Sequence, residues 1–347
     1  MSICHFHPWR KTAKSRQKSR HPRMSKLIMR KVILAILGVI FILIGAAGLV
    51  LPFLPGWVFI FAGFSLIVPR VAARLKRRLL RKFSKHELVY LQKWRKSGVH
   101  AGFTTRHFPL FLSQTDDLLD PQNRSEFRKL LAESKVASAH GMKPISKFAF
   151  LNQVHGNNVA ALEDEKALGD GAFHPLNQND GVITRLKDLA LLVMTADCLP
   201  IFMKAPGWVG LVHAGWRGTK GEVAKKAYQL LRQKSGCRNA EVEVIFGPCI
   251  GFDQYEVGPE FREFFPKRSL REKREKLFFD LAGENKRQLL LAGACRRNIT
   301  ELDLCTVEDN EDYYSFRKEE DAAGRMVSFV VMQDSFSSGY HFITEST

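Results

Sequence analysis

The chain has 347 residues, enough for one large domain and a smaller module, and a formal net charge of +18. Residues 1–85 hold 18 Lys or Arg and no Asp or Glu, so beyond them 35 basic residues balance 35 acidic ones. A neutral main part excludes the basic surface of a nucleic-acid-binding domain. The six cysteines form no CxxC pair and suggest no disulfide framework, which indicates a reducing, cytosolic compartment.

The first part of the sequence predicts a membrane anchor. Residues 1–31 form a basic arm, and residues 32–69 carry no charge and are interrupted only near Pro52 and Pro55. A helix of about 20 apolar residues crosses a bilayer, and basic residues stay on the cytoplasmic side. Basic flanks on both sides therefore predict a transmembrane helical hairpin with both ends in the cytoplasm, in a bacterial inner membrane.

A cleaved signal peptide and a buried hairpin of a soluble protein are the alternatives for this apolar segment. The run is too long for a signal peptide and lacks a small-residue cleavage site. Residues 70–97 continue as a basic linker, where Leu75, Leu79 and Phe83 recur at helical spacing. This linker is predicted to lie as an amphipathic helix on anionic lipid, or to be a plain charged helix. Residues 54–57 (LPGW) resemble part of the motif of the small PGPGW membrane proteins.

Residues 98–347 have the composition of a mixed α/β domain and are predicted to carry the activity. A capping box of Thr219 and Glu222 predicts a helix that ends at Gly236. Two further helices are predicted at 124–131 and 282–294. Short apolar runs predict strands at 147–151, 181–184, 189–195, 208–213, 241–246, 299–304 and 326–331.

Side chains that bind metals lie at or just beyond the ends of predicted strands. Cys198 and His155 each follow one strand, and His213 ends another. Carboxyl ends of strands are where α/β proteins place their chemistry, so one shared site is predicted. A thiolate with two imidazoles suits Zn²⁺ with an open fourth position, and also tolerates Cu²⁺. Spacings of 43 and 15 residues leave open that these are a buried thiol and core histidines.

Several short sequence blocks follow one another between residues 98 and 335. They are 152–156 (NQVHG), 180–184 (DGVIT), 195–200 (TADCLP), 212–218 (VHAGWRG), 247–251 (GPCIG) with 255–258 (YEVG), and 305–306 (CT) followed by 314–317 (YSFR) and 324–325 (GR). Together they resemble the laccase-domain family, also called the YfiH-like or polyphenol oxidase family. The resemblance implies a YfiH-like layered α/β sandwich, here with an N-terminal transmembrane helical hairpin. It also implies that His155, Cys198 and His213 are the metal ligands.

The resemblance further implies a purine nucleoside phosphorylase for adenosine, inosine and methylthioadenosine, with adenosine deaminase side activity. Deamination needs an activated water and a proton carrier, for which Asp197 is the nearest acid in sequence. Phosphorolysis needs a held phosphate, for which Arg217, just before the predicted helix start, is the candidate. A turn cap for Asp197 and an exposed ion pair for Arg217 are the alternatives. The expected partners are purine nucleosides, phosphate and membrane lipid, without nucleic acid; the oligomeric state is left open.

Two other functions stay open at this stage, a copper-dependent polyphenol oxidase and a membrane factor that edits peptidoglycan precursors. A multicopper laccase needs paired His-x-His motifs, and residues 5–7 (HFH) hold the only such pair. Cys249 is expected to pack in the core. Tyr255, Tyr314 and Arg317 are candidates for the wall of a purine pocket.

Overall fold

A computed structural model describes most of the chain beyond residue 86. The described residues are Leu37, Val39, Ile40, Ile42, 87–133, 141–168 and 171–334. Most of the predicted arm and hairpin (1–69) and most of the linker (70–97) therefore lie outside the described residues. Within residues 1–69 only Leu37, Val39, Ile40 and Ile42 are described, and all four are helical. In the described part of the chain no helix has the length and apolar character needed to cross a bilayer. Membrane attachment stays a prediction.

The unit Lys85–Thr347 contains the described strands and numbered helices. The strands are β1 (Leu88–Tyr90), β2 (Val99–Thr104), β3 (Lys147–Asn152), β4 (Val159–Leu162), β5 (Phe173–Asn177), β6 (Gly181–Thr184), β7 (Leu189–Thr195), β8 (Leu199–Ala205), β9 (Trp208–Ala214), β10 (Glu243–Phe246), β11 (Glu256–Val257), β12 (Leu270–Lys273), β13 (Lys276–Phe279), β14 (Ile299–Glu301) and β15 (Met326–Met332). The α-helices are α1 (Pro121–Glu133), α2 (Trp216–Lys220), α3 (Val223–Ser235), α4 (Phe261–Phe264), α5 (Leu281–Leu291) and α6 (Phe316–Glu319). Short 3-10 helices cover Gln92–Ser97, Thr115–Leu119, Glu165–Leu168, Asn239–Glu241, Lys267–Ser269, Arg296–Asn298 and Glu320–Ala322.

Two mixed sheets form the centre of this unit. The first sheet has the order β1-β2-β15-β7-β3-β5, and the second has β14-β10-β8-β9-β6-β4. Strands β3, β5 and β7 are parallel to one another, whereas β8 and β9 are antiparallel. A small third sheet, β11-β13-β12, completes the arrangement.

The two sheets pack face to face and carry helices on their outer faces. Phe103 and Leu191 of the first sheet share one buried cluster with Phe202 and Leu211 of the second. On the outer face of the first sheet, α1 contributes Phe127, and on that of the second, α3 and α5 cover the strands. The predicted layered α/β fold is confirmed at this level.

Strands buried on both faces match their predicted bounds best. The runs Gly181–Thr184 and Leu189–Thr195 were predicted with the same first and last residues, and every residue in them is buried. Continuous apolar runs are typical of strands covered by protein on both sides. The predicted helix at 124–131 begins earlier, because Asp120 accepts hydrogen bonds from the first-turn N–H groups and Pro121 suits the first helical position.

The predicted capping box of Thr219 and Glu222 is wrong. Thr219 lies inside α2, where its buried hydroxyl accepts a hydrogen bond from Asn285 at 2.9 Å. Glu222 is the residue before α3, has a left-handed φ of 61° and makes no capping bond. A tertiary partner on α5 thus takes the Thr219 hydroxyl that the local pattern assigned to a helix start. Gly236 does end α3, with the left-handed φ of 64° that glycine tolerates.

The folded unit begins before residue 98. Strand β1 pairs with β2, and the 3-10 helix Gln92–Ser97 between them buries Trp94 in the layer between the sheets. The Trp94 ring N–H donates to Glu243 of the second sheet at 3.3 Å. The end of the predicted basic linker is therefore part of the sandwich, because its apolar residues pack into the core between the sheets.

Replacing Trp94 by Ala in the full chain tests this boundary. We expect the free energy of unfolding to fall by about 3–5 kcal/mol, the usual cost of removing a buried tryptophan. Denaturant unfolding measures it, with exposed Lys96→Ala in the same 3-10 helix as a control that changes stability by less than about 0.5 kcal/mol. A loss below about 1 kcal/mol for Trp94→Ala would show that this segment is not part of the core.

Candidate metal centre and active site

The candidate site lies where the chain passes from the first sheet to the second. The segment after β3 carries His155 and leads into β4, and the segment after β7 carries Cys198 and leads into β8. Since β3 and β7 are parallel neighbours, both segments leave the first sheet at the same end. His213 lies near the end of β9, whose Ala214 pairs with Leu199 directly after Cys198. The topology therefore places the three side chains together.

The three side chains form one cluster with the geometry of a metal site. The ligand atoms of His155, Cys198 and His213 all lie within 4.8 Å of one another. The two imidazole rings stand nearly perpendicular, at 85°, with centroids 4.8 Å apart. His213 is buried, Cys198 is half-buried and His155 is exposed, so the cluster opens to one side. Two imidazoles and a thiolate with an open side fit a metal ion that keeps one position for water or substrate.

A buried carboxylate orients this cluster from behind. Asp180 is fully buried, and its Oδ1 accepts a hydrogen bond from His213 Nδ1 at 2.7 Å. Its Oδ2 accepts from the backbone N–H of Gly156 at 2.6 Å, next to His155. Burial alone would raise the pKa of Asp180, but the bonds from His213 and the backbone outweigh it and hold the pKa below its usual value. With Nδ1 bound to a carboxylate, His213 presents Nε2 to the cluster.

Close backbone approach also shapes the centre. The side-chain amide of Gln153 exchanges two 2.8 Å hydrogen bonds with the backbone of Met194, which ties the His155 segment to the end of β7. At Gly215 a Cβ atom would lie 3.0 Å from Cys198 Sγ, and at Gly218 it would lie 2.7 Å from the Gly156 carbonyl oxygen. A side chain at Gly215 would collide with the cluster, and one at Gly218 would collide with the backbone beside His155.

The electrostatics of the cluster favour a metal-binding thiolate. Burial raises the pKa of the Cys198 thiol, but the two neighbouring imidazoles outweigh this and lower the pKa below its usual value. Burial lowers the pKa of His213, but the Cys198 and Asp180 charges outweigh this and raise it. The lowered pKa of Cys198 favours the thiolate, which is the form that binds a metal, whereas His213 must give up its proton when an ion takes its place in the cluster.

A cavity of about 500 Å³ opens in front of the cluster. Its walls include Arg217, Arg317 and Arg325 beside apolar and aromatic side chains. None of the three arginines forms an ion pair with a carboxylate among the described residues. Ligand cavities in proteins commonly range from about 300 to 1,000 Å³, so this one has room for a small molecule.

Asp197, the candidate proton carrier, lines the cavity beside Cys198. Its Oδ1 accepts from the Thr306 hydroxyl and its Oδ2 from the backbone N–H of Arg317 at 2.6 Å. Its φ of 89° is unusual for a residue other than glycine, as is the φ of 58° at His155. Strained backbone of this kind persists where the surrounding structure enforces it, often at functional sites.

The remaining candidates from the sequence differ in whether they line the cavity. Tyr255 and Arg317 line the cavity, whereas Tyr314 does not and packs against Phe111 instead. Cys249 is buried outside the cluster, and burial raises the pKa of its thiol well above the usual value.

Three further residues of the site, Asp180, Gln153 and Arg325, had no role predicted from the sequence, although each lies in one of the blocks that carry the family resemblance. A signal was present for Asp180, which stands directly before the predicted strand Gly181–Thr184, where threonine is the one polar residue. A charged residue at such a position is buried only when it has partners. Gln153 carries no comparable local signal, since its partner Met194 is 41 residues away along the chain. The side chain of Arg325 bonds only to the carbonyl oxygens of Ala323 and Gly324 among the described residues, and nothing in the neighbouring sequence marks it as a cavity residue.

A two-sheet α/β sandwich with one histidine–cysteine cluster facing a cationic cavity defines a class of small-molecule enzymes with a candidate single-metal centre. The family described as multi-copper polyphenol oxidoreductase laccase matches residues 116–333, and the chain belongs to this family.

Several relatives are similar to this chain over most of their own length. A purine nucleoside phosphorylase of Aquifex aeolicus is 34% identical over 180 residues, covering 52% of this chain and 81% of the relative. One from Geobacillus stearothermophilus, YlmD, is 29% identical over 263 residues, covering 70% and 93%. An adenosine deaminase from an unknown prokaryote is 32% identical over 178 residues, covering 48% and 68%.

Solved structures share the fold. YfiH from Bacillus licheniformis superposes with a TM-score of 0.62 at 26% identity, covering 73% of this chain and 98% of that one. The YlmD structure from Geobacillus stearothermophilus gives a TM-score of 0.61 at 26% identity, covering 72% and 98%. The predicted YfiH-like fold is thereby confirmed for residues beyond the N-terminal segment.

Replacing Cys198 by Ala tests the metal centre. We expect metal-replete protein to bind about one ion per chain, and the variant to lose it because only two ligands remain. Elemental analysis after gel filtration measures the metal content, and Cys249→Ala, a buried thiol outside the cluster, is the matched control. Full occupancy in Cys198→Ala together with loss in Cys249→Ala would move the centre to the other thiol.

Proposed function

We propose that this chain is a metal-dependent purine nucleoside phosphorylase with adenosine deaminase side activity. The observation that carries the proposal is one cavity in which the His155–Cys198–His213 cluster faces unpaired arginines and an aromatic wall. The names of the similar phosphorylases and of the similar deaminase support the same reaction pair.

The cationic wall supports binding of phosphate. Arg217, the candidate from the sequence, lines the cavity with its guanidinium 4.4 Å from the centre of the Trp216 ring. Arg317 and Arg325 face the same space. Guanidinium groups bind phosphate through paired, charge-assisted hydrogen bonds. Phosphorolysis transfers the ribosyl group of adenosine to phosphate and releases adenine and ribose 1-phosphate.

The remaining wall suits a purine base. Trp216, Ile250, Tyr255 and Leu281 present apolar or aromatic surface to the cavity. Burial raises the pKa of the Tyr255 hydroxyl, so this group remains a hydrogen-bond donor at neutral pH. A flat heteroaromatic ring gains from such a wall by burial of apolar area and by ring stacking.

The cluster of His155, Cys198 and His213 would hold Zn²⁺ or Cu²⁺. When bound, such an ion supplies Lewis acidity and makes water a stronger acid and nucleophile. In this proposal Asp197 accepts the proton that water loses on adding to the purine carbon bearing the amine, and returns it to the departing ammonia. Each Asp197 oxygen already accepts one hydrogen bond, and an ionised carboxylate has about four acceptor positions in total, which leaves capacity for this step.

Copper-dependent oxidation of phenols is the second candidate, favoured by the description of the family. Within the described ranges, one His/Cys/Asp/Glu group has the geometry of a metal site, whereas a multicopper oxidase needs several. Editing of peptidoglycan precursors at the membrane depends on the N-terminal segment, outside the described residues. The purine reaction therefore remains the leading proposal.

Incubation of metal-replete protein with adenosine tests the proposed function. With phosphate we expect adenine and ribose 1-phosphate; without it we expect some inosine and ammonia, since deamination needs only water. Chromatography of the bases and nucleosides measures both routes, and His213→Ala should lose both. Intact adenosine under both conditions would reject the purine proposal. Phenol oxidation, measured as oxygen consumption, would then become the leading candidate.

The role of Asp197 is tested by Asp197→Asn against Thr306→Val. Removing a general acid–base commonly lowers the rate by about 10²–10⁴-fold, so kcat for deamination should fall by that factor in Asp197→Asn. Thr306→Val removes one hydrogen bond to the same carboxylate but leaves its charge and its bond from the backbone of Arg317, so we expect a smaller loss of kcat than in Asp197→Asn. Equal losses in the two variants, at unchanged metal content, would make Asp197 a positioning residue only.

A further inference from the structure

Arg325 differs from the other two arginines of the cavity in its burial. It directly precedes β15, where its backbone N–H donates to the Leu112 carbonyl oxygen at 2.7 Å. The side chain is half-buried, whereas Arg217 and Arg317 are exposed. Its Nη1 donates to the carbonyl oxygens of Ala323 at 2.7 Å and Gly324 at 3.2 Å. Carbonyl groups satisfy hydrogen bonds but do not neutralise a charge.

None of the carboxylates that act electrostatically on Arg325 forms an ion pair with it among the described residues. Asp197 accepts from Thr306 and from the backbone of Arg317, and Asp117 accepts from the backbone and side chain of Ser113. Both carboxylates, with Asp321 and the Cys198 thiolate, act on Arg325 electrostatically without forming an ion pair with it. Burial nonetheless lowers the pKa of Arg325 below its usual value. A partly buried cation without a paired anion is costly, and an anionic ligand removes that cost.

Each of the three arginines lies over an aromatic ring, Arg325 over that of Phe316 at 5.8 Å, and the two exposed arginines differ from it in their access to water. Arg217 stacks on Trp216, and Arg317 donates to the Glu256 carbonyl oxygen while lying over the Tyr255 ring at 5.2 Å. Water screens and solvates both guanidinium groups, so their charges cost little when unpaired. Arg325 is also fixed at the start of a central strand of the first sheet, which holds its backbone in place.

We infer that Arg325, rather than Arg217, is the main contact for inorganic phosphate in the cavity. Arg325 lines the same cavity as the His155–Cys198–His213 cluster, and among the described residues only its Nη1 has protein acceptors. Phosphate bound to it would therefore lie in the cavity that takes the nucleoside. Arg217 then contributes long-range attraction from the exposed wall. This inference rests on the proposed function for the identity of the reaction, but phosphate binding is measurable without turnover.

The inference is tested by adding inorganic phosphate at increasing concentration to the metal-replete full chain and measuring the melting temperature at each concentration. We expect phosphate to raise the melting temperature of the wild type and to have little effect on Arg325→Gln. The dissociation constant should rise about 10- to 100-fold, the usual effect of losing a hydrogen bond to a charged group. Arg325→Lys should bind phosphate more tightly than Arg325→Gln because it keeps the positive charge. It should bind more weakly than the wild type because an ammonium group cannot form the paired hydrogen bonds of a guanidinium group. Arg217→Gln should weaken binding less, and Arg238→Gln, an exposed arginine paired with Glu241, controls for the change in net charge.

Metal content and the melting temperature without phosphate show whether each variant is folded. No stabilisation of the wild type by phosphate, or wild-type affinity in a folded Arg325→Gln, would overturn the inference. Loss of binding in Arg217→Gln but not in Arg325→Gln would assign the contact to Arg217 instead. If phosphate binds through Arg325 while adenosine stays intact, the inference stands and the proposed reaction fails.

Discussion

The hydrogen bond from His213 to Asp180 is the interaction on which the centre depends. A carboxylate buried away from water is stable only when its oxygens accept hydrogen bonds from the protein. Asp180, which is fully buried, accepts them from the His213 ring and from the backbone of Gly156, next to His155. The same group thus fixes the ring of His213 and the position of His155. Since His213 belongs to the second sheet and His155 follows a strand of the first, Asp180 also links the two sheets at this end.

The sandwich supplies rigidity where the site needs it. Cys198 lies in the three-residue passage from β7 to β8, both of which are almost entirely buried. Two residues later Pro200 pairs with His213 across the second sheet. A ligand held so closely between two central strands has little freedom, which preorganises the cluster before any ion binds.

The sequence was sufficient for what is encoded locally. Strand β7 was predicted to the residue because its apolar run is unbroken, whereas β12, with its charged residues, gave no such pattern and was missed. The ligand set could not come from spacing, since two crossings between sheets bring distant residues together. It came from a family resemblance. Thr219 failed as a helix start because Asn285, 66 residues later, takes its hydroxyl.

Apart from Gln114, the residues that line the cavity come from two separate stretches of chain, 153–217 and 250–325, and this has an evolutionary consequence. The metal-site residues all come from 155–213, whereas Ile250, Tyr255, Leu281 and the residues of α6 come from the later half of the domain. Substitutions in the later half can remodel what the cavity accepts while leaving the cluster and Asp180 untouched. A lineage with this architecture can diversify its chemistry without rebuilding its centre, which accords with phosphorylase and deaminase names occurring among similar proteins.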